Sequence, residues 1–362
     1  MTVRLRAIAK PFLKVGTFGF GGGMGMLAMI RNECVKVRKW ITDDEMAVAV
    51  AIGQMIPGPF VPNYCQYIGH KLRGVRGATV ATVALLMPSF LLMIVLSWVY
   101  LTYHTLPGIN HVFKGIGAVM TAIIIWAAYD MGRILIRNWR SLAVFLFSLA
   151  FFLLKFDPVL TVLISGAVMV VFDHGKSPRI FLAVPVFMFD LKKILELFWI
   201  FFKTGAVTFG GGYAAIPFLE REVCDMRHWL TAREFMAGIA LGQITPGPVA
   251  ITATFIGFKV MGLLGAFLST LAMFLPSFLI FQVVIRLYRR VEYNKYIISF
   301  LNGIKSAIVA VLLSTGIYFT ITNWHSVPSA LLGVGTLIVL VFLKVQPVFL
   351  IIAGVIFGLI VR

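Results

Sequence analysis

The sequence is short of charged residues, of carboxylates in particular, and of cysteine. Only 13% of its 362 residues are charged and 60% are hydrophobic, which is more apolar surface than one soluble chain can bury. The cysteines, Cys34, Cys65 and Cys224, follow no paired spacing, so neither a disulfide framework nor a metal site is predicted. The sequence lacks the G-x-x-x-x-G-K-[ST] motif, which excludes an ATP-driven pump, and it lacks a nucleophilic triad. We therefore predict a protein that is not an enzyme and uses no cofactor.

The charges that are present are mostly positive. Lys and Arg number 32 against 14 Asp and Glu, which gives a formal net charge of +18. In a soluble protein this excess would indicate nucleic acid as a partner. Here the basic residues fall in short segments between apolar runs, as the positive-inside rule of membrane proteins requires. An inner surface that meets anionic lipid explains the charge, and no nucleic-acid partner is predicted.

Apolar runs of about 20 residues, the length that crosses a bilayer, recur along the chain. The predicted spans lie at 77–103, 112–132, 141–156, 158–172, 263–285, 300–321, 328–343 and 347–361. The fold class is therefore an all-α polytopic membrane protein. Its predicted location is the plasma (inner) membrane, which the chain crosses several times.

One stretch of sequence occurs twice and divides the chain into two halves. Phe20-Gly21-Gly22-Gly23 and Pro57-Gly58-Pro59 return 189 positions later as Phe209-Gly210-Gly211-Gly212 and Pro246-Gly247-Pro248. Further along the chain the offset becomes 188. A tandem duplication of this kind places function where the two copies face each other. We predict an N-terminal repeat at 1–175, a connector at 176–193 and a C-terminal repeat at 194–362.

The loop charges predict that the two repeats have opposite orientations. The turn 133–140 is basic, whereas its equivalent, 322–327, contains no Lys or Arg; the loop 286–295 is basic, whereas 104–111 contains none. The positive-inside rule then assigns four segments to the cytoplasm: 71–76, 133–140, 173–193 and 286–295. The result is an inverted-topology repeat, with the connector cytoplasmic.

Inversion requires an odd number of crossings in each repeat. Because each repeat has four clear spans, its glycine-rich and Pro-Gly-Pro segments are together expected to contribute an odd number. The sequence leaves their arrangement open: one segment crosses while the other is re-entrant, or the broken pieces form hairpins.

The repeated motifs interrupt their helices. Consecutive glycines lower helicity and allow close approach, and proline stops a helix. A broken helix exposes N–H groups and the positive end of its dipole, which together attract an anion. In the alternative interpretation the glycines only allow close packing and the prolines only kink the helix. We predict substrate binding at these breaks, by Gly21, Gly22, Gly23, Pro57, Gly58, Pro59, Gly210, Gly211, Gly212, Pro246, Gly247 and Pro248.

Two pairs of equivalent charged residues are further candidates. Lys14 and Lys203 lie at apolar positions, and we predict that both bind the substrate and supply positive charge to it; the alternative is that each extends its amine to the lipid headgroups. Glu33 and Glu222 are candidates for coupling to protons; the alternative is that they simply pair with Arg31 and Arg221. Asp130 is expected to pair with Arg133, three residues further along a helix.

Neutral polar side chains near the breaks complete the predicted substrate site. Their amide and hydroxyl groups can donate hydrogen bonds to an oxyanion. They are Gln54, Asn63, Gln243 and Thr245.

At these motifs the chain resembles the chromate ion transporter family. The matching segments are Phe20-Gly21-Gly22-Gly23, Pro57-Gly58-Pro59 and Pro88-Ser89-Phe90, and the second half matches again, as in the two-domain type of that family. The resemblance implies export of chromate, an oxyanion similar in shape to sulfate, driven by the proton motive force.

The resulting hypothesis is a secondary transporter of a tetrahedral oxyanion, with chromate leaving the cytoplasm by alternating access between inverted halves. Two alternatives remain open at this point: transport or exchange of sulfate or another oxyanion, and a passive anion channel. The expected partners are the oxyanion and the lipid bilayer, and a homodimer is left open.

Overall fold

The structure is a computed structural model, and it describes residues 3–19, 22–103, 109–154, 156–174, 192–209, 212–292, 294–324, 326–343 and 345–360. These residues form fourteen α-helices: α1 (Leu5–Phe18), α2 (Gly22–Arg31), α3 (Asp43–Met55), α4 (Phe60–Tyr103), α5 (Ile109–Leu135), α6 (Trp139–Leu153), α7 (Pro158–His174), α8 (Lys192–Val207), α9 (Ile216–Glu220), α10 (Ala232–Ile244), α11 (Thr252–Glu292), α12 (Lys295–Asn323), α13 (Val327–Ile338) and α14 (Pro347–Ile360). Short 3-10 turns precede α9 and α11 at Gly212–Ala215 and Val249–Ile251. Turns of π-helix follow α2, α9 and α13 at Asn32–Val37, Arg221–Met226 and Val339–Leu343.

The all-α membrane architecture is confirmed. Within the described residues, four helices are long and apolar enough to cross a bilayer, and four shorter apolar helices accompany them. The long ones are Phe60–Tyr103, Gly115–Leu135, Val249–Leu287 and Lys295–Asn323. The shorter ones are Trp139–Leu153, Pro158–His174, Val327–Leu343 and Pro347–Ile360.

The equivalent helices α5 and α12 pack side by side in opposite directions. A side chain built on Gly132 would meet Val309, and one built on Gly316 would meet Ile125. Nearer the start of α5, the indole of Trp324 donates a 3.3 Å hydrogen bond to the Ala118 carbonyl. Residue numbers therefore rise along one helix as they fall along the other, as expected for inverted repeats.

Each half begins with two helical hairpins. In the first half, Lys14 of α1 donates to Glu33, 19 positions later, at 2.6 Å, so α1 and α2 lie side by side. Glu45, at the start of α3, pairs with Lys71 near the kink in α4, so α3 and the first piece of α4 also fold back on each other. Because α3 has 13 residues and a length of about 20 Å, it cannot cross a hydrocarbon core of roughly 30 Å.

The expectation that the glycine-rich and Pro-Gly-Pro segments contribute an odd number of crossings is therefore wrong. Each segment enters and leaves on one side, because ion pairs join the two arms of its hairpin. The same pairs recur in the second half, as Lys203 with Glu222 and Lys259 with Glu234.

Polar contacts define the two ends of the helix bundle. At one end, Arg140 and Ser299 both donate to Asp173, at 2.7 and 2.5 Å; we call this end the Asp173 face. At the other end of α7, Arg221 lies 3.7 Å from the Asp157 carboxylate; we call this end the Asp157 face. The basic turn 133–140 and the start of α12 therefore share one face, as the loop charges predict.

The first half ends and the second half begins at opposite faces of the bundle. Helix α7 ends at the Asp173 face, whereas α8 begins at the Asp157 face, where Glu196 accepts a 2.6 Å hydrogen bond from Arg227. Lys192 and Lys193, the last residues of the predicted cytoplasmic connector, therefore lie at the face opposite to the basic turn 133–140. The two halves are therefore inverted because they begin at opposite faces, and not because the hairpins cross the membrane. Residues 175–191, most of the predicted connector, lie outside the described residues.

Many repeated residues have a structural role. Thr42 and Glu45 form a capping box at the start of α3, and Thr231 and Glu234 repeat it at α10. Arg38 lies over the Trp40 ring at 5.2 Å, and Arg227 lies over Trp229 at 5.7 Å. These contacts stabilise the arms of the hairpins and do not involve the turns between the arms.

Candidate functional site

The hairpin turns of the two halves meet inside the bundle. The Gly58 N–H, within Pro57-Gly58-Pro59, donates to the Thr208 carbonyl of the second half at 2.5 Å. The equivalent Gly247 N–H donates to the Gly19 carbonyl of the first half at 3.2 Å. Each Pro-Gly-Pro turn is therefore held by the residue that precedes the glycine-rich motif of the opposite half.

Both turns require glycine at their centre. Gly58 has φ of +102° and Gly247 has φ of +120°, values that other residues rarely adopt. A Cβ on Gly58 would lie 2.5 Å from Cβ of Ser277, and a Cβ on Gly247 would collide with Oγ of Ser89. Each turn thus packs against the Pro-Ser-Phe segment of the opposite half.

Beside the turns lies a cavity of about 370 Å³. Its walls come from both halves and from the last three turns of α5, which end at the Asp173 face. The lining residues are Met26, Gln54, Pro59, Phe60, Val61, Tyr64, Trp126, Ala127, Asp130, Met131, Ile134, Leu135, Gly212, Tyr213, Gly247, Pro248, Val249 and Lys305. The wall is apolar with a few polar groups, as is usual for a small-molecule site.

Five residues predicted from the motifs line this cavity: Gln54, Pro59, Gly212, Gly247 and Pro248. Gly21, Gly210 and Gly211 lie outside the described residues. The remaining candidates lie beyond the cavity wall, and several have structural contacts instead. Asn63 donates to the Gly53 carbonyl at 3.3 Å, and Thr245 donates to the Gly242 carbonyl at 2.9 Å.

The other predicted residues of the breaks lie in or beside the turns, outside the cavity wall. The Pro246 carbonyl accepts a 2.5 Å hydrogen bond from the hydroxyl of Ser89. The side-chain amide nitrogen of Gln243 is buried without a hydrogen-bond partner in the described part of the chain. Pro57, Gly58, Gly22 and Gly23 belong to the hairpin turns or to the start of α2.

The predicted lysines and glutamates form two equivalent clusters. Glu33 is buried between Lys14, at 2.6 Å, and Arg38, at 3.5 Å. Glu222 is buried in the same way between Lys203 and Arg227. We call these the Lys–Glu–Arg clusters; none of their residues lines the cavity.

The predicted partners of the two glutamates are wrong. Arg31 donates to Asp43 at 2.7 Å instead of pairing with Glu33, and this hydrogen bond lowers the pKa of the Asp43 carboxyl. Arg221 donates to the Phe156 carbonyl at 2.6 Å instead of pairing with Glu222. The hairpin fold is the reason, because it brings distant residues closer to each glutamate than its neighbours in sequence.

Lys305 of α12 was not among the sequence candidates. It is half-buried, it lines the cavity, and it forms no ion pair within the residues that the structure describes. A single lysine inside an apolar span was the available signal. Comparison of the two repeats does not reveal Lys305, because the equivalent residue in the first half is Gly117.

Asp130 contributes a carboxylate to the wall of the same cavity. Arg133 lies 2.5 Å from it, which confirms the predicted i,i+3 pair. The charge of Asp130 is thus balanced by Arg133 on its own helix, whereas Lys305 faces the cavity and has no carboxylate partner among the described residues.

Comparisons with known proteins agree with the duplicated architecture. The family model described as "Chromate transporter" matches residues 6–170 and again residues 195–359. The chromate transport protein of Cupriavidus metallidurans is 30% identical, over 98% of this chain and 92% of its own length. An uncharacterized transporter of Methanocaldococcus jannaschii is 32% identical, over 88% and 85% of the two chains.

A probable chromate transport protein of Synechococcus elongatus is 30% identical, over 92% of this chain and 89% of its own length. No solved structure matches the chain. The family model covers both halves, and the two matched segments correspond to the two inverted repeats of the structure. The chain belongs to the chromate transporter family.

Proposed function

We propose that this protein is a secondary transporter that moves a tetrahedral oxyanion, chromate first, out of the cytoplasm. The observation that carries the proposal is the cavity bounded by both Pro-Gly-Pro turns and by Lys305. The cavity is large enough to admit a small hydrated anion, and relatives similar over most of the chain are named chromate transport proteins.

The inverted halves support alternating access. The cavity extends along α5 toward the Asp173 face, which the positive-inside rule assigns to the cytoplasm. We propose that this conformation receives the anion from inside. Exchange of roles between the inverted halves then opens the site toward the Asp157 face.

The membrane potential favours export of such an anion. Moving one charge across 100 mV is worth about 2.3 kcal/mol, so a divalent anion gains roughly twice that on leaving a cell with a negative interior. The electrical part of the proton motive force therefore suffices for a large concentration ratio. We propose that Glu33 and Glu222, buried in the Lys–Glu–Arg clusters, connect transport to the proton gradient.

Purified protein in proteoliposomes tests the proposal. With potassium equal on both sides and valinomycin present, the potential is held at zero while a pH gradient is imposed. Accumulation of labelled chromate above its external concentration supports coupling to protons, whereas simple equilibration indicates a channel or a carrier driven by the potential alone. Excess sulfate measures selectivity, and an equally strong inhibition by sulfate would make chromate one substrate of several.

Two further measurements address coupling and direction. Glu33→Gln and Glu222→Gln should lose accumulation driven by the pH gradient while they retain exchange of labelled for unlabelled chromate. Cells that express the protein should retain less chromate than cells with an empty vector. A higher chromate content would reverse the proposed direction.

A further inference from the structure

We propose that Lys305 supplies the positive charge that binds the anion, and that only the second half of the chain contributes such a lysine. The inference rests on the proposed function and names a residue of its site. Lys305 lines the cavity together with parts of both Pro-Gly-Pro turns.

A lysine at position 305 lowers the stability of the folded protein, so we expect it to have a function. It lies in the interior of α12, whose apolar stretch is long enough to cross the bilayer, and charged side chains at such positions cost several kcal/mol. Extension to the headgroups does not explain it, because the side chain lines an internal cavity. Lys305 therefore differs from Lys14, whose side chain is mostly exposed and whose amine is paired with Glu33.

The charges around the cavity balance a divalent anion when Lys305 is included. Helix α4 and the 3-10 turn that leads into α11 begin at the cavity wall, with Phe60 and Val249. Each helix start contributes about half a positive charge, so together they offset roughly one of the two negative charges. Asp130 is balanced by Arg133, and Lys305 supplies the remaining positive charge.

The asymmetry has a physical consequence for binding. The turns that bound the cavity are duplicated, whereas the equivalent of Lys305 is Gly117, which packs beside Asn323 of α12. Two lysines around one divalent anion would leave an excess charge in a low-dielectric site whenever the site was empty. One lysine keeps that cost to a single charge, and it predicts one anion bound per chain.

Kinetics of three variants in proteoliposomes test the inference. Lys305→Gln should raise KM for chromate about 10- to 100-fold, because a hydrogen bond to a charged group contributes roughly 1.5–3 kcal/mol. Lys305→Arg keeps the charge and should keep KM within a few-fold of wild type. Lys10→Gln is the matched control, since Lys10 is exposed on α1 and should leave KM unchanged.

Thermal stability gives a readout that does not depend on transport. Chromate should raise Tm of the wild type and of Lys10→Gln, because a ligand stabilises the folded state that binds it. The same concentration should raise Tm of Lys305→Gln much less, because its affinity is 10- to 100-fold weaker.

The outcomes separate this inference from the proposed function. Wild-type transport of chromate with an unchanged KM in Lys305→Gln would overturn the role of Lys305 and leave the transporter proposal intact. If Lys305→Gln does not fold, the arginine variant decides, and a KM raised more than tenfold in that variant would overturn the inference. Absence of chromate transport and of any chromate effect on Tm in the wild type would overturn both.

Discussion

The hydroxyl of Ser89 donates a 2.5 Å hydrogen bond to the carbonyl of Pro246, which belongs to the opposite half of the chain. The equivalent hydroxyl, on Ser277, instead donates to the Phe274 carbonyl of its own helix at 3.0 Å. Two residues in matching positions therefore make different contacts, and the two Pro-Gly-Pro turns are not held equally.

Ser89→Ala should destabilise the protein more than Ser277→Ala. The first change leaves the buried Pro246 carbonyl without its donor, which costs about 1–3 kcal/mol, whereas the second removes a bond within one helix. Thermal unfolding in the same detergent measures the difference, with Ser277→Ala as the matched control. Equal Tm losses in the two variants would contradict the asymmetry.

Alanine at Gly58 should be far more damaging than alanine at Gly74. Both glycines have positive φ, but a Cβ at Gly58 collides with Ser277, whereas one at Gly74 meets nothing within 4 Å. Gly74→Ala should therefore cost only the backbone penalty of a conformation that side chains rarely adopt, about 1–3 kcal/mol. Gly58→Ala should lose more stability and most of the chromate transport.

Combining Gly58→Ala with Ser277→Gly separates the two causes. Removal of the serine side chain relieves the collision but leaves the φ penalty and adds a glycine inside α11, which costs up to about 1 kcal/mol, so Tm should recover in part. No recovery of Tm would show that the Ser277 contact is not the source of the damage.

The duplicated features of the fold could be predicted from sequence, because each appears twice and the copies support each other. Proline stops a helix whatever surrounds it, so the breaks at Pro57 and Pro246 were predictable. The partners of Glu33 were not, because Lys14 reaches it only after the hairpin has folded. Lys305 was missed for the opposite reason: it has no counterpart in the first half.

Glu222→Gln should destabilise the protein more than Glu33→Gln. Each change removes the carboxylate that a lysine and an arginine share. Arg227 keeps its pair with Glu196, but the lysines differ, because the Lys203 side chain is 26% exposed and that of Lys14 is 58% exposed. Breaking a buried pair costs about 3–5 kcal/mol, and solvent reduces that cost at an exposed one. A larger Tm loss for Glu33→Gln would contradict this account.

The inverted topology predicts opposite accessibility at equivalent positions. Trp139 and Val327 are each the first residue of a helix, are 68% and 74% exposed, and leave the capping residues Asn138 and Ser326 intact when replaced. Single cysteines there should react differently with an impermeant reagent on intact cells, Val327→Cys strongly and Trp139→Cys weakly. The three native cysteines are buried.

Unlabelled Val327→Cys with labelled Trp139→Cys would reverse the orientation assigned by the loop charges. Strong labelling at both positions on intact cells would contradict the inverted topology itself. Permeabilised cells provide the control, because both cysteines should then react.

The hydrogen bonds at Gly58 and Gly247 have a consequence for how such a protein can be assembled. Gly58 needs the Thr208 carbonyl and Gly247 needs the Gly19 carbonyl, so neither repeat contains both members of either pair. A repeat made as a separate chain would have to meet a second copy inserted the other way up in the same bilayer. Joining the repeats in one polypeptide guarantees one copy of each orientation for every site, whatever the level of expression.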